Sequence, residues 1–204
     1  SLHEGGAAYQ VAAEKAEEMM WDMGFDHVEI TQYPDDPDQL NIVGYNWGRV
    51  NPDEYIVIGG HFDIAYMFTP PGGGTNEGSN DDTSGSTVSL EVGQALAQME
   101  FDHTVVAALW ACEEEGLLGS LAYVANLPEN VSVRTYMNFD MVSLNYPIVP
   151  LTEPLIDPLT GDIFEPTKYD WSISIAGASD GNMDRMLGWV GESIDENLAY
   201  QPTE

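Results

Sequence analysis

Basic residues are the scarcest feature of this 204-residue chain: five Lys and Arg stand against 35 Asp and Glu, a formal charge of -30. A surface of that sign repels phosphate backbones and anionic lipid, so nucleic acid and membranes are excluded as expected partners. Cysteine is almost absent, and the single Cys112 rules out an internal disulfide and any cysteine-rich zinc site. No run of 18 apolar residues offers a membrane span, and the opening Ser1-Leu2-His3-Glu4 has neither the basic nor the apolar region of a signal peptide. No Asp-x-Asp-x-Asp-Gly spacing occurs, which argues against a calcium loop as the source of the acidity. The expectation is a solvated acidic surface suited to salty water, on a halotolerant protein that is secreted or held at the cell surface.

Apolar residues make up 43% of the chain, enough to pack a core despite the charge. Length and content fit one domain spanning residues 1–204. Tyr9, Ala12, Ala16, Met19, Met20 and Met23 recur at helical spacing, which predicts a helix over residues 5–23, stopped by Gly24. Extended stretches are expected at His27–Tyr33 and Leu40–Trp47, separated by the turn-rich residues 34–38, with another turn at Asn51–Glu54. The apolar run Tyr55–Gly60 reads as a strand in the middle of a sheet. After a Gly- and Pro-rich loop the pattern predicts a helix at Thr83–Met99, a strand at Thr104–Ala111, a helix at Leu117–Leu127 and a strand at Val131–Met141. Five prolines mark residues 144–168 as a surface excursion, and a strand at Trp171–Ala176 and a helix at Asn182–Leu198, with Asp180 near its N-cap, follow. The order strand, helix, strand, helix, strand implies an α/β fold: a largely parallel, twisted mixed sheet with helices on both faces.

Ligands of such sheets bind beyond the carboxyl ends of the strands. Each of the three buried runs ends there in polar chemistry: Gly60-His61-Phe62-Asp63, Trp110 through Ser120 with its Glu113-Glu114-Glu115 triplet, and Asn138-Phe139-Asp140-Met141. A fourth set, Gly78-Ser79-Asn80-Asp81-Asp82-Thr83-Ser84-Gly85, stands where a loop becomes a helix. Singly, each has a plain reading. His61 could be a satisfied polar residue, Asp81 or Asp82 a helix N-cap, and the Glu triplet a solvated edge. Together, one imidazole and several carboxylates on one rim suit zinc or another divalent cation, because so many acids repel one another unless a cation lies between them.

These pieces resemble, in order, the motifs of the clan MH zinc exopeptidases, specifically the aminopeptidases of peptidase family M twenty-eight: Gly-His-x-Asp, Gly-x-x-Asp-x-x-Ser-Gly, Trp-x-x-Glu-Glu-x-Gly-Leu-x-Gly-Ser and Asn-x-Asp-Met. The resemblance implies two zinc ions. His61 would bind the first with Asp140, Asp81 would bridge both, and Glu114 would bind the second. Glu113 would be the general base, Asp63 would hold the other nitrogen of His61, and the Asp81–Asp82 bond would be cis. It also implies a peptide substrate with a free N-terminus, and the scarcity of basic residues speaks against recognition of a C-terminal carboxylate.

One part of the family pattern is missing. The fifth ligand is a His downstream of the Asn-x-Asp-Met piece; Ser179-Asp180-Gly181 resembles its surroundings but carries Gly in its place. The expectation is a catalytic domain without the C-terminal strand and loop that bear this His, and therefore an impaired one. The alternatives are a natural pseudoenzyme, a glutaminyl-cyclase-like acyltransferase using one zinc, and a non-catalytic binding domain of the same fold.

Overall fold

The computed structural model describes residues 7–33, 36–65, 78–142, 155–156, 163–164, 172–176 and 199–203. The chain divides into two compact units, Ser1–Val142 and Ser143–Glu204. In the first, helix α1 (Ala7–Met23) is followed by strands β1 (His27–Tyr33), β2 (Asp36–Asn46) and β3 (Asn51–His61), then α2 (Thr83–Ala97), β4 (His103–Trp110), α3 (Leu118–Ala125) and β5 (Ser132–Asn138). Gly24 ends α1 at φ +93°, a left-handed conformation that costs glycine little, and its N–H closes the last turn on the Trp21 carbonyl.

The five strands form one sheet in the order β1-β2-β4-β3-β5. β3 runs parallel to both β4 and β5, whereas β2 is antiparallel to β1 and β4. The sheet is thus mixed, and its parallel part consists of the motif-bearing strands. β2 begins earlier than local sequence predicts. Asp36 pairs with Tyr33 and the register shifts beyond Gln32, so an irregular edge pairing takes in residues read as a turn. β3 likewise starts at Asn51, paired with His103, before its register shifts at Tyr55.

Alternating strand residues build two cores. On one face Ile42, Ala107 and Leu109 pack with Tyr9, Ala13 and Met20 of α1, and with Leu90 and Ala97 of α2. On the other, Val43, Val57, Val106, Ala108 and Trp110 pack with Tyr123 of α3. The chain leaves β3 through α2 to reach β4, then returns through α3 to β5 on the far side of β3. The carboxyl end of β3 therefore lies at a switch point, where crossover connections diverge and leave a crevice.

In the second unit, Leu155–Ile156 pairs antiparallel with Ile163–Phe164, and Ser172–Ala176 pairs parallel with Ala199–Thr203. Ser172–Ala176 matches the strand expected there, while the expected helix Asn182–Leu198 and most of the proline-rich excursion lie outside the described residues. No helix among the described residues is long and apolar enough to cross a membrane.

Candidate metal centre

Parallel pairing sets His61 opposite Trp110 and Gly59 opposite Asn138, so the three strands end level with one another. The motif residues beyond them converge on the buried His61 ring. From its Nε2, Asp81 Oδ1 lies at 3.1 Å, Glu113 Oε2 at 3.8 Å and Asp140 Oδ1 at 4.0 Å. Possible ligand atoms of His61, Asp81 and Asp140 all fall within 4.8 Å of one another, and so do those of His61, Glu113 and Glu114. Every sequence-predicted site residue is thus brought to this rim.

The other ring nitrogen faces Asp63, with Nδ1 3.2 Å from Oδ1. Asp63 is almost fully buried, and its two oxygens also accept the backbone N–H groups of Glu113 at 3.1 Å and Glu114 at 3.2 Å. One carboxylate therefore orients the imidazole and the Glu doublet together. With Nδ1 donating to Asp63, Nε2 faces the carboxylate cluster, and in the neutral ring it would present its lone pair there, as a metal-ligating histidine requires.

The sequence alone presents Asp82 only as an N-cap candidate. It does cap α2, with Oδ1 accepting from Gly85 N at 2.9 Å. The same side chain, 1% exposed, also accepts from Met141 N at 3.0 Å and from His61 N at 3.1 Å. Ser86 Oγ donates to the His61 carbonyl. The first turn of α2 is thereby wedged between the ends of β3 and β5, and glycines make the approach possible. A Cβ on Gly85 would lie 2.0 Å from the Phe139 carbonyl oxygen, and one on Gly60 would lie 2.8 Å from Gly85 C and Ser86 N. The Asp81–Asp82 peptide bond is cis, as the resemblance implies. Cys112 and Met141, which flank Glu113 and Asp140, hold φ values of +51° and +52°. Non-glycine residues seldom adopt these, and they persist where surrounding structure imposes them.

Electrostatics favour a cation here. Burial raises the carboxyls of Glu113, Glu114 and Asp140; neighbouring carboxylates add to the rise, and the His61 ring pulls against it. Burial also takes Asp82 up to about 6, although the Met141 and Gly85 N–H groups oppose it. For His61, burial acts downward, but the hydrogen bond and charge of Asp63, with Asp82 and Glu113, outweigh it and lift the ring to about 9. The donor set fits zinc: a buried Nε2 without a hydrogen-bond partner is faced by carboxylates from separate segments, the mixed N/O ligation that zinc accepts.

The remaining described histidines stand elsewhere. His103 opens β4 beside Glu54, and His27 opens β1 opposite Tyr45, both at the amino-end edge of the sheet. Neither belongs to a metal-capable group. His3 and Ser179–Gly181 lie outside the described residues.

An α/β sheet bearing one imidazole and four carboxylates at its carboxyl rim defines a candidate divalent-metal centre. The chain belongs to peptidase family M28, whose model matches residues 41–165, more than half of its length. Among curated proteins it is 38% identical over 99 residues to aminopeptidase Y of Saccharomyces cerevisiae, covering 47% of this chain and 17% of that one. It is 31% identical over 144 residues to a glutamate carboxypeptidase 2 homolog of Caenorhabditis elegans, covering 65% and 17%. A solved zinc aminopeptidase from Bacillus subtilis shares the fold, with a TM-score of 0.51 and 24% identity over 80% of this chain and 34% of that one. The chain spans about a sixth of the length of these two curated relatives.

Proposed function

We propose that this rim is the active site of a zinc aminopeptidase, which releases the N-terminal residue of a peptide by hydrolysis. The observation that carries the reading is the buried His61 Nε2, without a hydrogen-bond partner and surrounded by Asp81, Glu113 and Asp140. His61, Asp81 and Asp140 would hold one zinc, and Asp81 and Glu114 the protein side of a second. Zinc held there supplies Lewis acidity toward the scissile carbonyl and an acidified water.

The chain's own residues do the rest. Glu113 accepts a proton from the attacking water and passes it to the leaving amine nitrogen, a transfer its carboxylate is placed to make at the rim beside His61. Asp63 keeps the His61 Nε2 lone pair directed at the site and fixes the backbone of Glu113. The surplus of carboxylates attracts the substrate's α-ammonium. Cleavage at a carboxyl end would call for a cation at the site, but Lys15, Arg49 and Arg134, the described basic residues, pair with Glu18, Glu100 and Glu54 away from this rim.

A second imidazole, for the Glu114 side, would come from residues other than His27, His61 and His103. The 204-residue chain is expected to take one zinc tightly and a second weakly, and to gain activity when an imidazole is supplied on the Glu114 side. Elemental analysis and hydrolysis of an aminoacyl amide at saturating zinc test this, with the N-acetylated amide as control. Hydrolysis of the blocked substrate, or cyclisation of an N-terminal glutamine instead, would overturn the assignment.

A further inference from the structure

We propose that Asp82 is a positioning residue, whose single carboxylate fixes three of the four ligand-bearing segments, those of His61, Asp81 and Asp140, relative to one another. This rests on the metal reading above but concerns a group that is not itself a ligand. A helix N-cap needs to satisfy one or two N–H groups of its own first turn. Asp82 does that at Gly85 and also accepts from His61 and Met141, whose segments are far apart in sequence. Oδ1 serves Gly85 and Met141; Oδ2 serves His61. These three donors leave the carboxylate no solvent-facing role, since the side chain is 1% exposed.

The three bonds map onto the proposed ligands. Holding His61 N, together with the Ser86 bond to the His61 carbonyl, fixes the backbone that carries the imidazole. Holding Met141 N fixes the residue after Asp140, at a positive φ that nothing in its own side chain favours. Asp81 precedes Asp82 directly. A ligand set assembled from three loops loses affinity when its spacing loosens, and removing the groups that orient ligands typically costs about 10–100-fold in metal affinity.

The chemistry of the carboxylate separates positioning from capping. Asp82→Ser keeps a hydroxyl that can cap Gly85 N but is too short to reach both other amides. Asp82→Asn keeps the size but turns an NH₂ group toward at least one backbone N–H, so donor meets donor. Cobalt(II) serves as the probe in the 204-residue chain, with affinity by calorimetry, the visible absorption spectrum as a report of ligand geometry, and melting of the metal-free forms as a control. Both variants should retain a cooperative melt, bind cobalt(II) about 10–100-fold more weakly and shift its spectrum. Wild-type affinity and spectrum in either folded variant would overturn the proposal and reduce Asp82 to a cap. Amide exchange on the metal-free wild type needs no variant: the His61 and Met141 N–H groups, at a strand end and in the loop beyond β5, should exchange as slowly as amides in the middle of β3, and exchange at open-loop rates would equally overturn it. A wild-type chain that takes up no cobalt(II) would instead defeat the metal reading, and is distinguishable because the exchange result stands on its own.

Discussion

Replacing Gly85 by alanine sets two effects of opposite sign against each other. Alanine in a helix is ordinarily favoured over glycine by about 1 kcal/mol. Here the added Cβ would lie 2.0 Å from Phe139 O, 2.5 Å from Phe139 C and 2.5 Å from Asp82 Oδ1, against an ordinary contact of about 3.5 Å. Two of these atoms are backbone and cannot rotate away, so α2 and the Phe139–Asp140 segment must separate. Overpacking costs about 1–3 kcal/mol and occasionally more. With a clash this deep the cost takes the upper end, leaving a net loss of about 2 kcal/mol after the helix gain. For a chain of this length that lowers Tm by about 4–8 °C. Gly93→Ala in the same helix is the control. Its Cβ would meet Ala107 Cβ and Phe25 Cζ at 2.9 Å, and the Phe25 ring can tilt, so a smaller loss is expected and no change at the metal centre. Calorimetric melting of the metal-free chains and cobalt(II) titration provide the readouts, with metal affinity of the Gly85 variant expected to fall about 10–100-fold. A Gly85→Ala chain that melts at or above wild type and binds metal equally well would refute the close-approach argument.

Glu113→Gln in an active, longer chain should leave zinc content nearly unchanged and lower kcat by about 10²–10⁴-fold; a loss under tenfold points to another base. In the metal-free chain, His61 has its pKa raised from 6.5 to about 9; its stabilising contribution is therefore full below about pH 6.5 and fades as pH rises through about 9. Since a bound metal needs the neutral ring, zinc uptake at about pH 7.5 should release protons, measurable by calorimetry in buffers of different ionisation enthalpy; uptake independent of buffer would contradict the assigned charge state. With a formal charge of -30, Tm should rise as salt increases from about 0.01 M toward physiological strength and beyond, because screening relieves repulsion in the compact state. A Tm independent of salt would show that the acidic groups are too dispersed to matter.

Much of this protein is local in origin. β1 occupies His27–Tyr33 as its alternation predicts, α2 begins at Thr83, and Gly24 ends α1, because burial period, capping and positive φ are properties of one segment at a time. The motifs on His61, Asp81, Glu113, Glu114 and Asp140 are also legible, since each follows a strand or opens a helix and the chemistry of the rim selects those residue types. The tertiary structure decided what depends on two segments at once. Asp36–Asp38 fall inside β2 despite their turn propensity, with Asp36 paired to Tyr33 of β1 across an irregular register. β2 turned antiparallel to β4, a relation no single stretch encodes. Asp82 illustrates the division most clearly: its position before α2 announces a cap, but its bonds to His61 and Met141 exist only because the order β4-β3-β5 and the close contact at Gly60 and Gly85 bring those backbones within hydrogen-bond reach.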